Sequence, residues 1–437
     1  MARPAAGASR QAQVAGLLVA TLAGACAKTG EPPGGPPRTT APKIERTVPE
    51  SGAIVPELKG DAVIAFDEVI DEMPASAGPK GTITGLAAKV VLSPVAGEVK
   101  VSWHRSAIHV KPAEGWKPNR VYHLELLSGI ADLRRNTTKQ RTLVVFSTGD
   151  TLPSAVLTGT ALLWVEQRAL AQAIIRAARL PDTVAYVTVA DSVGDFRLSE
   201  IPAGRYLVWA IQDQNNNRVA DRREAFDTVR VTVDSGASAL LWAFVHDTVG
   251  PRLRSVDPLD STTFRLVFSQ PLDPRHPLDT TRVRLYALPD TTPVRVAGLL
   301  AAAQYDSLQA RARAVADSLR RARDTTARRD TARARAPAPA GPRAPGAAAG
   351  AARPPQRDTS AARVDTTRVH RLLGQRPVPS ERLVVRVAAP LVPGAKYLVR
   401  VRGATNLTGA AADAQGVLVV PVPRPARDTT KAKPKTR

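Results

Sequence analysis

Cysteine is almost missing from this sequence: Cys26 is the only one in 437 residues. No internal disulfide can form, and neither a four-cysteine nor a Cys2His2 zinc site can be assembled. Aromatic residues are scarce as well, at 4 %. A nucleic-acid binder concentrates its charge on one fold and interleaves rings for stacking. Here arginine is sprinkled along strand-like stretches and piled into a low-complexity segment, so nucleic acid is not the expected partner despite a net charge of +22. Long apolar runs are absent too, since the stretch Val14 to Ala25 falls short of the roughly 20 residues that span a bilayer. Motifs that carry a mechanism are also lacking. There is no His-x-x-x-His pair with a neighbouring Glu, no Gly-x-Ser-x-Gly elbow and no Gly-x-x-x-x-Gly-Lys loop. The histidines, at 104, 109, 123, 246, 276 and 370, are dispersed. A Ser/His/Asp site assembled from distant segments stays open as a reading, because such sites are set by geometry. The expectation is a protein that is not an enzyme, with no catalytic residues named.

What the sequence does hold is Val, Thr, Leu and Ala in short runs, punctuated by 37 prolines and 29 glycines. That mix predicts many short strands and turns. From Lys43 to Asp150 the strand candidates are 62–66, 89–92, 98–103, 107–110, 121–126 and 142–147, a density that predicts a sandwich. A second unit, 154–247, offers 185–189, 194–198, 204–210 and 228–233. Its stretch Val165 to Leu180 has helical composition, readable as a short helix or an irregular insertion.

A third unit, 250–423, repeats the first. Residues 62–71 line up with 264–273, and the pattern Pro-x-x-x-Tyr recurs as Pro118 to Tyr122 and Pro393 to Tyr397. The two halves of the third unit are pushed apart by an insertion, 300–378. Residues 301–375 hold fifteen Arg, six Asp and no Glu. Its first part, to about Ala336, is a candidate helix with Leu308, Val315 and Leu319 on one narrow stripe. Residues 337–355 are Ala/Pro/Gly and cannot bury enough apolar surface to order themselves. A solvated spacer and a basic contact arm are both open readings of the insertion. Residues 424–437 form a basic tail expected to be disordered.

The amino terminus carries Arg3 and Arg10, the apolar run, and then Leu22-Ala-Gly-Ala-Cys26, followed by a Pro/Gly-rich stretch. This is the layout of a secretory signal peptide, 1–25, ahead of a flexible tether, 26–42. The segment 22–26 resembles a bacterial lipobox, although Ala23 stands where a larger aliphatic residue is commoner. The resemblance implies that Cys26 becomes an acylated amino terminus, its chains partitioning into a leaflet. Ala27, rather than an acidic residue, follows it, which by the same resemblance implies the outer membrane of a double-membrane cell envelope.

Pro49-Glu-Ser-Gly52, Phe66-Asp67 and Phe146-Ser-Thr-Gly-Asp150 resemble bacterial Ig-like-domain lipoproteins whose first module is an S-layer-type Ig-like domain. Asp191 to Leu198 and Ile201 to Ala210 are similar to a carboxypeptidase-regulatory-like, or transthyretin-like, sandwich. The resemblance implies a mainly β fold: tandem Ig-like and transthyretin-like β-sandwiches with a disordered or helical basic insertion. It implies a place in the cell envelope more than an activity; the expected role is structural or binding, with wall, glycan or another envelope protein as partner. An adhesin or carbohydrate-binding accessory protein is the alternative, which an exposed aromatic row on one sheet would favour. The tryptophans, such as Trp103, Trp116 and Trp209, are expected to pack.

One loop carries chemistry of its own. Asp213, Asn215, Asn217, Asp221 and Glu224 place oxygen-bearing side chains at loop positions 1, 3, 5, 9 and 12, with the Val219 carbonyl at position 7. Calcium takes six to eight hard oxygens, and this spacing lets one loop wrap an ion. Two departures count against it: Arg218 stands where a glycine would make the sharp turn, and the loop follows a strand rather than a helix. Arg218, Arg222 and Arg223 also add positive charge. An Asn/Asp-rich hairpin loop bonded to its own backbone is the competing reading. Calcium is the only cofactor expected.

Overall fold

The computed structural model describes residues 39–76, 79–333 and 366–422. Cys26, the signal segment 1–25, most of the tether 26–42, residues 334–365 and the tail 424–437 lie outside the described residues. What is described is mainly β, in tandem sandwiches.

The first sandwich contains β1 (Ile44–Val48), β2 (Ala62–Phe66), β3 (Val90–Ser93), β4 (Val99–His104), β5 (Ala107–Pro112), β6 (Val121–Leu126) and β7 (Thr142–Ser147). One sheet runs β1-β2-β5-β4 and the other β3-β6-β7. Strand alternation drives their packing: Ala62, Ile64 and Phe66 of β2 are buried while Val63 and Ala65 are half-buried. They meet Tyr122, Leu124, Val144 and Phe146 from the facing sheet.

The second sandwich is built from β8 (Ala155–Leu163), β9 (Arg168–Ala169), β10 (Ile174–Arg179), β11 (Ala185–Val189), β12 (Asp195–Ile201), β13 (Gly204–Ile211), β14 (Ala225–Val233) and β15 (Gly236–Val245). Hydrogen bonding follows β11-β10-β13-β14-β15-β8-β12, with β9 on β8. Strands β15 and β8 run parallel. The stretch with helical composition thus holds two strands rather than a helix, β9 paired with β8 and β10 paired with β11 and β13. Ile175 and Ala177 enter the core while Ile174 faces the first sandwich, so both faces of β10 are covered and the period-2 signal is lost. Gly159, inside β8, is a close-approach position: a Cβ there would lie 2.2 Å from the Ala239 carbonyl oxygen.

The third sandwich comprises β16 (Leu253–Pro258), β17 (Thr263–Leu272), β18 (Val283–Ala287), β19 (Thr292–Val294), β20 (Val296–Ala301), β21 (Ser380–Val387), β22 (Lys396–Thr405) and β23 (Ala411–Val419). Its sheets, β16-β17-β21-β20 and β19-β18-β22-β23, repeat the strand order of the first sandwich with β19 added at one edge. Small latches repeat as well. The Tyr122 hydroxyl accepts the Lys117 N–H at 2.8 Å and Tyr397 accepts that of Val392 at 2.9 Å, which is why Pro-x-x-x-Tyr recurs. The insertion sits at one hairpin. Arg105 and Ser106 join β4 to β5, whereas residues 302–379 separate β20 from β21.

Within the insertion, α1 (Ala302–Arg333) carries Leu308, Val315 and Leu319 exposed. A second helix, α2 (Thr366–Leu373), returns onto the second sandwich. Val369, Leu372 and Leu373 pack on Leu162, Trp164 and Trp242, beside Leu407 of the third sandwich. Just beyond α2, the Arg376 guanidinium lies 4.9 Å over the Trp242 ring. This end of the insertion is a wedge between modules, not a solvated spacer. Among the described residues no helix is long and apolar enough to cross a membrane.

Candidate functional site

The loop 213–224 joins β13 to β14, and its side chains bond inward. Asp213 accepts the Asn217 and Arg218 amides at 3.1 and 2.9 Å. Asp221 Oδ2 accepts the side-chain amides of Asn215 at 2.5 Å and Asn217 at 3.0 Å. Asn217 Oδ1 takes the Val219 N–H at 2.8 Å. Buried Glu224 closes the loop, accepting the N–H groups of Gln214 at 2.8 Å and Asp221 at 3.2 Å. The side chains of Asp213, Asn215, Asn217, Asp221 and Glu224 are thus bonded to one another and to the loop's own backbone. The sharp turn is made without glycine: Asn216 and Arg218 take φ of 56° and 57°, a left-handed conformation that costs a non-glycine residue of order 1 kcal/mol.

The Arg218 side chain leaves the loop altogether. It donates to the main-chain carbonyls of Val90 at 2.9 Å, Ala88 at 3.1 Å and Ala87 at 3.4 Å. These carbonyls end the 3-10 turn Gly85–Lys89 of the first sandwich, where a cation meets the negative end of the turn. The Ile83 N–H donates back to the Asn216 carbonyl at 2.8 Å. Burial pulls the Arg218 pKa down, while Asp213 and Glu125 oppose the shift. Of the three arginine charges that counted against a cation in the loop, that of Arg218 is thus directed to the neighbouring module, while Arg222 and Arg223 stay exposed beside the loop.

The donor set suits a hard cation in type: carboxylates, side-chain amides and a main-chain carbonyl. A carboxylate oxygen that accepts one amide still has a lone pair to offer. Among the described residues, however, no three His, Cys, Asp or Glu side chains converge as a metal-holding group. A calcium ion here would lean on Asp213, Asp221, Asn215, Asn217 and the Val219 carbonyl, with Glu224 holding the loop shut.

A second polar site lies between the first two sandwiches. A cleft of about 350 Å³ is lined by His123, Glu125, Arg141, Thr188 and Asp191 among others. Thr188 donates to Glu125 at 2.8 Å, and Arg141 reaches both Glu125 and the Val189 carbonyl. Burial raises the Glu125 pKa, with Thr188 and Arg141 working the other way. His123 is buried with its ring 5.0 Å from that of Tyr186. Desolvation pushes its pKa down to about 4; the Glu200 backbone is near enough to oppose this, yet neither ring nitrogen reaches hydrogen-bonding geometry.

Elsewhere the polar residues serve structure. His276 and Arg275 both bond buried Asp273, and His246 stacks against Phe226 and Phe244 at 3.9 and 4.2 Å. Asp67 accepts the Lys43 N–H at 2.8 Å. The indoles are likewise engaged. Trp103 and Trp116 donate to the Ile70 and Gly60 carbonyls, Trp164 and Trp242 lie under α2, and Trp209 packs in the cluster of Val91, Ile174 and Ile211 between the first two sandwiches.

Residues 38–148 match the family described as a bacterial Ig-like domain. The first sandwich is similar to bacterial Ig-like domains. No curated protein sequence matches the chain. Among solved structures, the major pilin subunit BcpA of Bacillus cereus is 11 % identical over 45 % of this chain and 67 % of its own, with a TM-score of 0.18. The Bacillus anthracis TIE protein is 13 % identical over 65 % of this chain and 51 % of its own, at 0.16. A fragment of Escherichia coli alpha-2-macroglobulin is 13 % identical over 57 % and 84 %, at 0.17.

Proposed function

We propose that this chain is a non-enzymatic cell-envelope lipoprotein whose three sandwiches form a stiff support for surfaces that contact wall, glycan or another envelope protein. The observation that supports it is the construction of the joints. At the first, Arg218 of one module is buried on main-chain carbonyls of another. At the second, buried Asn406 donates to the Asp247 carbonyl at 2.9 Å and the Val249 carbonyl at 3.1 Å, in the link between modules. Side chains that bond a neighbour's backbone fix its orientation as well as its distance, which suits support better than turnover.

In this reading Cys26 carries acyl chains that hold the support at the outer membrane. Calcium, held by the 213–224 loop, would stiffen the turn from which Arg218 projects. The test is fractionation of cells expressing the wild-type chain or Cys26→Ser, with membranes washed at high salt. Acyl anchoring survives salt, whereas electrostatic adhesion is screened. Wild type is expected to stay in the washed membranes and Cys26→Ser to leave. Equal retention of both would sink the anchor.

A further inference from the structure

The positive charge of this protein is unevenly placed. Residues 39–247 hold 23 basic and 24 acidic side chains, whereas residues 248–437 hold 34 and 14. Within the third sandwich, part of that excess is gathered on the outer face of the sheet β19-β18-β22-β23. Val283, Leu285, Val399 and Val401 point into the core, which turns their neighbours outward. Arg284 and Arg400 stand directly opposite each other in register. Arg282 and Arg402 flank them, linked by the Arg402 N–H to the Arg282 carbonyl at 2.9 Å. All four are exposed, and none enters an ion pair among the described residues. Asp279, whose carboxylate accepts the Arg282 N–H, and Asp413, which accepts the Gly403 N–H, lie only at the margin. Like charges directly opposite on a sheet destabilise the pair, and an external anion would relieve that repulsion.

The face is not only basic. The next row along the strands is Tyr286, Leu398 and Val417, and the one after it pairs Lys396 with Val419. Val417 is 49 % and Val419 52 % exposed. A basic band beside an aliphatic band matches a membrane interface, where headgroup phosphates border the acyl region. A sugar polymer fits less well, because the Arg400 guanidinium already lies 5.7 Å over the Tyr286 ring. We propose that this sheet face docks on a membrane surface rich in anionic lipid. Arg282, Arg284, Arg400 and Arg402 meet the headgroup phosphates while Val417 and Val419 reach the acyl boundary. The contact is separate from the Cys26 anchor.

The test uses the full chain carrying Cys26→Ser, so that no acyl chain contributes, in co-sedimentation with two kinds of vesicle. One is a phosphatidylcholine and phosphatidylglycerol mixture; the other is phosphatidylcholine alone. Binding to the anionic vesicles only is expected, falling as salt is raised. Arg284→Gln with Arg400→Gln should weaken it about twenty-five-fold, from two surface arginines each contributing about a factor of five. Val417→Ser with Val419→Ser should weaken it while leaving the salt dependence in place. Unchanged binding by the arginine variant would assign the contact to the insertion or tail and overturn the proposal. Equal binding to neutral vesicles would overturn it too, as would no vesicle binding by a chain that does bind soluble dextran sulfate.

Discussion

His123 shows how a single side chain acquires a property that its neighbours in sequence do not reveal. It alternates on β6 with Tyr122 and Leu124, which face the core of the first sandwich, so a period-2 reading turns it outward. Outward here means against the second sandwich, where it is buried beside Tyr186. Its folded-state pKa of about 4 lies below the ordinary value of 6.5. The unfolded chain therefore binds the proton more readily, and stability falls as pH drops from about 6.5 to about 4, by about 3 kcal/mol in all. Above pH 6.5 the residue contributes no slope. Buried Glu125 and half-buried Asp227 have raised pKa values. A raised carboxyl contributes stability that is lost as pH rises, so these two partly mask the histidine in the wild type. His123→Phe keeps the ring and removes the proton site. Urea unfolding at pH 7 and pH 4 should show the variant losing about 3 kcal/mol less than wild type on acidification; equal losses would mean that His123 stays neutral or finds water. Arg218 is a similar case. Its charge was legible in the sequence, but the carbonyls it serves lie 128 residues or more away in the chain.

At the scale of elements, legibility followed periodicity. Strands with alternating burial or a β-branched and aromatic composition announced themselves: β2, β6, β7 and β11 coincide with the stretches 62–66, 121–126, 142–147 and 185–189. Strands with neither signal did not. In β8 the segment Gly159 to Leu163 carries no polar alternation, and β10 is rich in alanine, so composition alone pointed toward helix. Only the partner sheets settle such segments, and those contacts are long-range. The helix α1 was legible for the opposite reason, because local propensity governs it. Alanine and arginine are strong helix formers, and Leu308, Val315 and Leu319 are exposed rather than packed. Its first turn has a foothold, with the Tyr305 hydroxyl donating to Asp260 at 3.4 Å. Val315→Pro should therefore break the helix in its middle, at a local cost of about 3 kcal/mol. Ellipticity at 222 nm should fall while the thermal midpoint of the sandwiches stays put; a lowered midpoint would show that α1 packs on the rest of the molecule.

Across the whole molecule, the repeated modules differ where they meet their neighbours. Asp132 in the first sandwich and Asn406 in the third occupy matching positions, each bridged to the end of the matching strand segment, at Ile70 and Leu272. Each caps its own turn in the same way. Asp132 Oδ1 accepts the N–H groups of residues 134 and 136, and Asn406 Oδ1 those of 408 and 410. The acid suffices in the first copy, whose second oxygen accepts the Asn136 side chain at 2.7 Å. The third copy needs an amide, because its Nδ2 donates to the Asp247 and Val249 carbonyls and to Gln270 Oε1 at 2.9 Å. Asn406→Asp preserves size and the turn cap but turns a donor into an acceptor facing three acceptors, at a cost on the order of 3 kcal/mol. The loss falls on the link between the second and third sandwiches, while the sandwich cores are untouched. Scanning calorimetry should then show the third sandwich melting earlier and apart from the other two, and solution scattering should report a larger radius of gyration from the loosened joint. An Asn406→Asp chain that scatters and melts like wild type would show that the wedge of α2 and Arg376 against Trp164 and Trp242 holds the second joint without Asn406.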